Sequence, residues 1–299
     1  MTMSSMTERS GFVLETLREG GEFTLYRGRQ HGNPLPVLVV ALAAEQPSPS
    51  SLRRLEHEYS LAAELDPGWA ARPLALTRQE GRTMLVLEDP GGEPLDRVLD
   101  RGQGRALELT RFLRVAIGLA TALGQVHRHG LIHKDIKPAN VLVNLAGGVW
   151  LTGFGIASRI PRERQSPEPP EFIAGTLAYM APEQTGRMNR SMDSRSDLYS
   201  LGVTLYEMLT GSLPFAASDP MEWVHCHIAR RPIPPAERLK KIPAPVSAII
   251  MKLLAKTAEE RYQTAAGLES DLRRCLARWE ASAGSTTSRS ANTTRRTGC

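Results

Sequence analysis

Hydrophobic positions along the chain follow two spacings, and the change between them is abrupt. From Gly11 to about Asp89 they come in short runs rich in β-branched and aromatic residues, "FTLYRGR", "PVLVVALA" and "RTMLVLED", parted by turn-forming stretches such as "HGNP". This pattern predicts a small, mostly β lobe. One segment inside it, "SSLRRLEHEYSLAAEL", is spaced as a helix, with Leu52, Leu55, Tyr59, Ala62 and Leu65 on one face and Ser50 or Ser51 as its N-cap.

After the turn "EDPGG" the spacing becomes helical and stays so. "LELTRFLRVAIGLATALGQVHRHG" aligns Leu109, Phe112, Leu113, Ala116, Ala120 and Leu123 and stops at Gly130. "SDLYSLGVTLYEMLTG" is apolar nearly all round, which predicts a central buried helix closed by Gly211. "DPMEWVHCHIAR" opens with Asp219 as cap and Pro220 in the first turn, and two more helices are predicted over roughly Pro243 to Lys256 and Thr264 to Glu280. The predicted class is α+β: a flexible N-terminus over 1–10, a β-rich lobe over 11–89, a helical lobe over 90–280 and a disordered tail over 281–299.

Composition adds exclusions. Three of the five net positive charges come from Arg289, Arg295 and Arg296 in the tail, so the body is too weakly basic to predict a nucleic-acid partner. Cys226, Cys275 and Cys299 are few and far apart; they predict no disulfide framework and suit a reducing cytoplasm. "MTMSSMTERS" lacks the apolar stretch of a secretion signal, and the longest apolar run, "LPVLVVALAA", contains a proline and is too short for a membrane span. It predicts a buried strand and no membrane insertion.

Five motifs stand in a fixed order: "HKDIKPAN" (133–140), "GFG" (153–155), "GTLAYMAPE" (175–183), "SDLYSLG" (196–202) and "ERYQTA" (260–265). In order and spacing they resemble the serine/threonine protein kinases over about Gly11 to Glu280, and more loosely the kinase-like module at the front of bacterial multi-domain sensor histidine kinases. The resemblance implies a bilobal protein-kinase-like fold. It also implies roles: Asp135 as the base accepting the substrate hydroxyl proton, Lys137 against the transferring phosphate, Thr176 bridging to the base, and Asn140 as a magnesium ligand. Glu183 and Arg261 match a buried ion pair, and Asp197 a carboxylate that accepts backbone N–H groups of the catalytic loop. Lys134 stands where the family has arginine, and its point charge lacks the arginine fork.

Against that template four pieces are missing. Gly153 replaces the aspartate that would hold magnesium, leaving the neutral amide of Asn140 as the remaining metal ligand. Val40 falls at the position of the strand lysine that would grip the phosphates, with Glu58 as its orphaned helix partner. No lysine occurs before Lys134. The glycine-rich template falls on Arg18, Gly20, Phe23 and Leu25, so Gly20 alone is kept. With Leu87 as gatekeeper and Glu88 as first hinge residue, Pro90 lacks the N–H that would donate to adenine, while the Glu88 carbonyl could still accept.

The expectation is therefore a pseudokinase, with phosphotransfer absent or very slow and its output through a protein partner or downstream signalling domains. ATP and magnesium, if taken up, would be held weakly through Gly20, Glu88 and Asn140. The alternative is an active ATP-dependent kinase with a rearranged site, in which an arginine replaces the lysine. No structural metal is expected: His225 and His227 of "HCH" lie two apart on a helix and diverge. Trp223 and Met221 read as packing, and 159–172 as an exposed activation loop.

Overall fold

The computed structural model describes residues 6–9, 12–30, 32, 35–44, 46–79, 81–102, 106–159, 177–187 and 191–293. The first lobe is one antiparallel sheet of β1 (Met6–Arg9), β2 (Phe12–Arg18), β3 (Phe23–Gln30), β4 (Pro36–Leu42), β5 (Pro73–Gln79) and β6 (Arg82–Glu88), in the order β1-β2-β3-β4-β6-β5. β4 is apolar throughout because both its faces are covered. Leu38 and Leu42 point toward helix α1 (Pro49–Ser60) and the second lobe, while Val37, Val39 and Ala41 join Leu14, Met84 and Val86 on the opposite face.

Two details of this lobe differ from the pattern. β1 lies where a flexible N-terminus was expected, its four residues pairing with β2 from Met6↔Glu15 to Arg9↔Phe12. An edge strand held by backbone bonds needs no apolar run, so "MTER" carries no signal. The N-cap of α1 is Ser48, upstream of the serines expected. Pro49 has no N–H to satisfy and starts the helix, and Ser48 Oγ accepts from the Ser51 N–H at 3.1 Å.

The second lobe begins with β7 (Glu93–Pro94), α2 (Leu95–Arg101) and α3 (Leu109–Arg128). By length and composition α3 could cross a membrane, but its apolar stripe is buried against two later helices, those of Ser194–Thr210 and Ala265–Thr293. β8 (Leu131–Ile132), β9 (Val141–Val143), β10 (Val149–Leu151) and β11 (Ser158–Arg159) carry the loops that face the first lobe. α4 (Ser194–Thr210) is buried from Ser196 through Tyr206 and ends at Gly211 with φ 76°, as its all-round apolarity predicts. α6 (Pro235–Arg238) and α7 (Ala244–Leu253) pack against it, α5 (Pro220–Ile228) meets it where His227 touches Tyr199, and α8 (Ala265–Thr293) packs on α3 and α7. α8 continues past Glu280, through thirteen residues the pattern assigns to a disordered tail. A helix already docked over its first turns extends cheaply through alanine and serine.

The buried ion pair is formed as expected. Arg261 NH1 and NH2 reach Glu183 Oε1 and Oε2 at 2.7 and 2.9 Å, and the guanidinium also donates to the carbonyls of Ala255, Lys256 and Arg195. Ser196 Oγ donates to Glu183 at 2.7 Å, so the burial of both charges is compensated.

Helix contacts are tight at particular glycines. A Cβ on Gly202 of α4 would stand 2.7 Å from Leu253 Cβ of α7, whereas one on Gly124 of α3 would meet Ala265 Cβ at an ordinary 3.7 Å. Gly202→Val is expected to lower unfolding free energy by about 1–3 kcal/mol through overpacking. Gly124→Ala is expected to raise it by about 0.5–1 kcal/mol through helix propensity. Denaturant titration of the two variants checks both signs.

Candidate functional site

A cavity of about 560 Å³ lies between the lobes, roofed by residues 20–25 and Val40, backed by α1 and floored by residues 135–140 and 152–156. The floor is held by Asp197, which is fully buried at the start of α4. Its Oδ2 accepts from the His133 N–H and from His127 Nε2, each at 2.9 Å, and its Oδ1 accepts from the Lys134 N–H at 2.8 Å. Burial pushes this carboxyl up, but the bond and charge of His127, with those of His133, outweigh it and leave it below the usual range. These bonds hold Lys134 at φ 68°, the sole non-glycine residue with positive φ among the described residues. That backbone costs about 1–2 kcal/mol and turns the next side chain, Asp135, toward the cavity. Burial also draws the Lys134 ammonium down to about 8.

Asp135, Lys137 and Asn140 are brought together as the motif predicts. Asp135 Oδ2 accepts from Lys137 Nζ at 2.8 Å and from Asn140 Nδ2 at 2.9 Å, and Asn140 Nδ2 also donates to the Asp135 carbonyl. Asp135 Oδ1 is buried, belongs to the cavity lining residue and accepts no hydrogen bond among the described residues. Thr176 lies outside the described residues. Gly20 lines the cavity, and a Cβ there would meet the Phe23 carbonyl at 2.7 Å, so only glycine fits. The Glu88 side chain pairs with Arg72 at 2.6 Å and its N–H donates to the Arg72 carbonyl, and it is not among the residues lining the cavity.

Val40 lines the cavity, and Glu58 faces the same space from α1. Instead of meeting a cation there, Glu58 Oε1 accepts from the Gly153 N–H at 3.1 Å, and the Phe154 N–H also reaches this carboxylate. Burial raises the Glu58 carboxyl to about 7, against the pull of those two N–H groups. Gly153 is at φ 79°, a left-handed backbone, and a Cβ on it would fall 2.7 Å from the Asn140 Cγ and Nδ2. The amide of Asn140 thus fills the space a side chain at 153 would need.

Other contacts fasten the lobes, and sequence reasoning missed them. His57 Nε2 of α1 meets the Ala157 carbonyl at 2.7 Å. Arg27 of β3 grips Asp89 through Nε and NH2 at 2.5 and 3.0 Å and the Gly92 carbonyl at 2.7 Å. Arg97 of α2 donates to the carbonyls of Thr16 and Leu17, and Arg18 faces Asp96 at 3.8 Å. Single arginines in polar stretches give no signal of where they reach. The "HCH" histidines diverge as expected: His225 is exposed, and His227 is buried against Trp223, Phe215 and Tyr199, burial drawing it down to about 4. No group of three or more metal-binding side chains occurs among the described residues.

With this geometry in view, comparison with known proteins is decisive. A family model, the protein kinase domain, matches residues 14–272. The chain belongs to the protein kinase family. This kinase-family chain is 40% identical over 162 residues to the serine/threonine-protein kinase PknB of Mycobacterium tuberculosis, covering 54% of the chain and 26% of that protein. It is 33% identical over 262 residues to "Probable serine/threonine-protein kinase CPE1738" of Clostridium perfringens, covering 87% of the chain and 37% of that protein. It is 34% identical over 200 residues to the serine/threonine-protein kinase PksC of Streptomyces coelicolor, covering 66% of the chain and 35% of that protein. The chain thus spans about a quarter to a third of the length of these relatives. The β-rich first lobe and helical second lobe are those of a serine/threonine-kinase-like domain, a family that uses ATP and magnesium.

The buried carboxyl gives the site a pH signature. Burial holds the Glu58 carboxyl at about 7 in the folded protein, above the ordinary 4.5, so folding retains a proton that the unfolded chain releases. Its contribution is complete below about pH 4.5 and is lost as pH rises through 7. Glu58→Gln keeps an acceptor for the Gly153 N–H without the charge. Relative to wild type the variant is expected to gain roughly 1–3 kcal/mol between pH 5 and pH 8, read from denaturant midpoints at the two pH values.

Proposed function

We propose that this domain is a pseudokinase, a kinase fold that signals by binding and transfers phosphate very slowly or not at all. The observation that carries the reading is the Gly153 site. Glycine at 153 has no side-chain oxygen, so the position supplies no magnesium-holding carboxylate, and the Asn140 amide sits 2.7 Å from where a Cβ would fall. Beside it, Val40 offers no ammonium to a phosphate, and Glu58 is turned to backbone N–H groups. The residues present do not fit a magnesium–triphosphate group. Asn140 has one amide oxygen to offer, and the Asp135 carboxylate beside it is already bonded to Lys137 and Asn140 through one oxygen.

Magnitudes support the reading. Loss of one preorganised charge stabiliser raises a barrier by about 3–4 kcal/mol, and loss of a metal clamp adds several more. Allowing for non-additivity, roughly 5 kcal/mol remains, on the order of 10⁴ in rate. A second reading, an active kinase with a rearranged site, draws on Arg18 and Arg54, which line the cavity. It requires Arg18 to leave Asp96 at 3.8 Å or Arg54 to leave Glu22 at 2.5 Å. In our reading the partners are proteins or downstream signalling domains, with no nucleic-acid or membrane-inserting role, and the setting is the cytoplasm.

The test is radiolabelled phosphotransfer to itself and to a generic protein substrate, with magnesium, for wild type, Asp135→Asn and Gly153→Asp. The expected result is background signal for all three. Gly153→Asp stays inactive because Val40 still offers no ammonium to the phosphates. Robust magnesium-dependent transfer by wild type, abolished in Asp135→Asn, would overturn the reading.

A further inference from the structure

The cavity between the lobes stops short of the segment that joins them. Leu87, Glu88, Asp89 and Pro90 do not line it, nor do Leu38 and Leu142. A slot open to a flat heterocycle would leave its roof and floor accessible to water. Here the roof and floor are sealed: Leu38 is 0% exposed, Leu142 1% and Leu17 5%, and Leu25, at 3%, stands where the cavity ends.

The side chains responsible come from both lobes. On β9, Val141 and Val143 belong to the core of the helical lobe, but Leu142, on the opposite face, belongs to the cluster of Leu17, Leu25, Leu38 and Leu87 beneath the sheet. The lobes therefore meet leucine to leucine where a base would lie. The mouth of the same region is strapped by Arg97 of α2, which donates to the Leu17 carbonyl at 3.2 Å. Behind it Arg27 pins Asp89 and the Gly92 carbonyl to the sheet.

We propose that Leu38, closing on Leu142 with Leu17 and Leu25, is the residue that excludes nucleobases, and that the cleft is held shut by the protein's own side chains. A base could enter only by parting this apolar contact and the Arg97 strap, and it would recover no N–H donor at Pro90. The inference deepens the pseudokinase reading and rests on it for the meaning of a permanently closed cleft.

Adenosine is the probe, because it tests base entry without phosphate charge. Thermal shift and isothermal titration are run on the full chain as wild type, Leu38→Ala and Leu142→Ala. The wild type is expected to show no shift and no heat at millimolar adenosine. Each truncated variant, which melts lower on its own, is expected to gain a few degrees with adenosine as ligand linkage requires. Adenosine binding by wild type overturns the proposal. So does failure of both variants to bind while melting cooperatively. Should neither variant fold, the wild-type titration alone decides. The outcomes separate from the phosphotransfer assay: a wild type that binds adenosine yet transfers no phosphate sinks this inference and leaves the pseudokinase reading standing.

Discussion

The cleft is organised around one carboxyl group. Glu58 sits on α1, the one helix of the first lobe among the described residues, and is 4% exposed, so its oxygens must find donors or take a proton. The donors it finds belong to the second lobe, the N–H groups of Gly153 and Phe154. That bond ties the position of α1 to the backbone at 153–154, and His57 repeats the tie one residue earlier on the helix at the Ala157 carbonyl. A helix that would otherwise pivot on a strand lysine is held by main chain.

Two consequences follow from the tie. Gly153 must offer its N–H toward α1, which goes with its left-handed φ, and the space this opens is taken by Asn140. The lobes stay together, so Leu142 reaches the leucines under the sheet and Arg97 reaches the Leu17 carbonyl. The catalytic-type loop is meanwhile intact. Asp197 accepts three hydrogen bonds without exposure to water and holds Lys134 in its strained turn, with Asp135, Lys137 and Asn140 in mutual contact. A complete loop opposite a site without a metal carboxylate is what the proposed loss of phosphotransfer rests on.

Much of this was legible in the chain. The all-round apolarity of 196–209 gave a buried helix because a helix without a polar face has nowhere else to go, and Asp219–Pro220 gave a cap because each residue type suits its position. The short-range motif at 133–140 brings Asp135, Lys137 and Asn140 together, since their spacing is fixed by one tight loop. Less was legible where the cause is tertiary. β1 is held by backbone pairing, and the direction of Glu58 depends on a neighbour ninety-five residues away. Leu38 was visible as an apolar letter. Its role emerges only when Leu142 is brought against it. Thr176 falls outside the described residues.

The most direct measurement is amide hydrogen exchange of the wild type, resolved at Gly153, Phe154 and the β4 strand, with and without ATP and magnesium. A cleft closed by its own carboxyl and leucines predicts strong protection at all three in the free protein and no change on adding nucleotide. Amides that exchange rapidly in the free protein and become protected only with ATP and magnesium would contradict it.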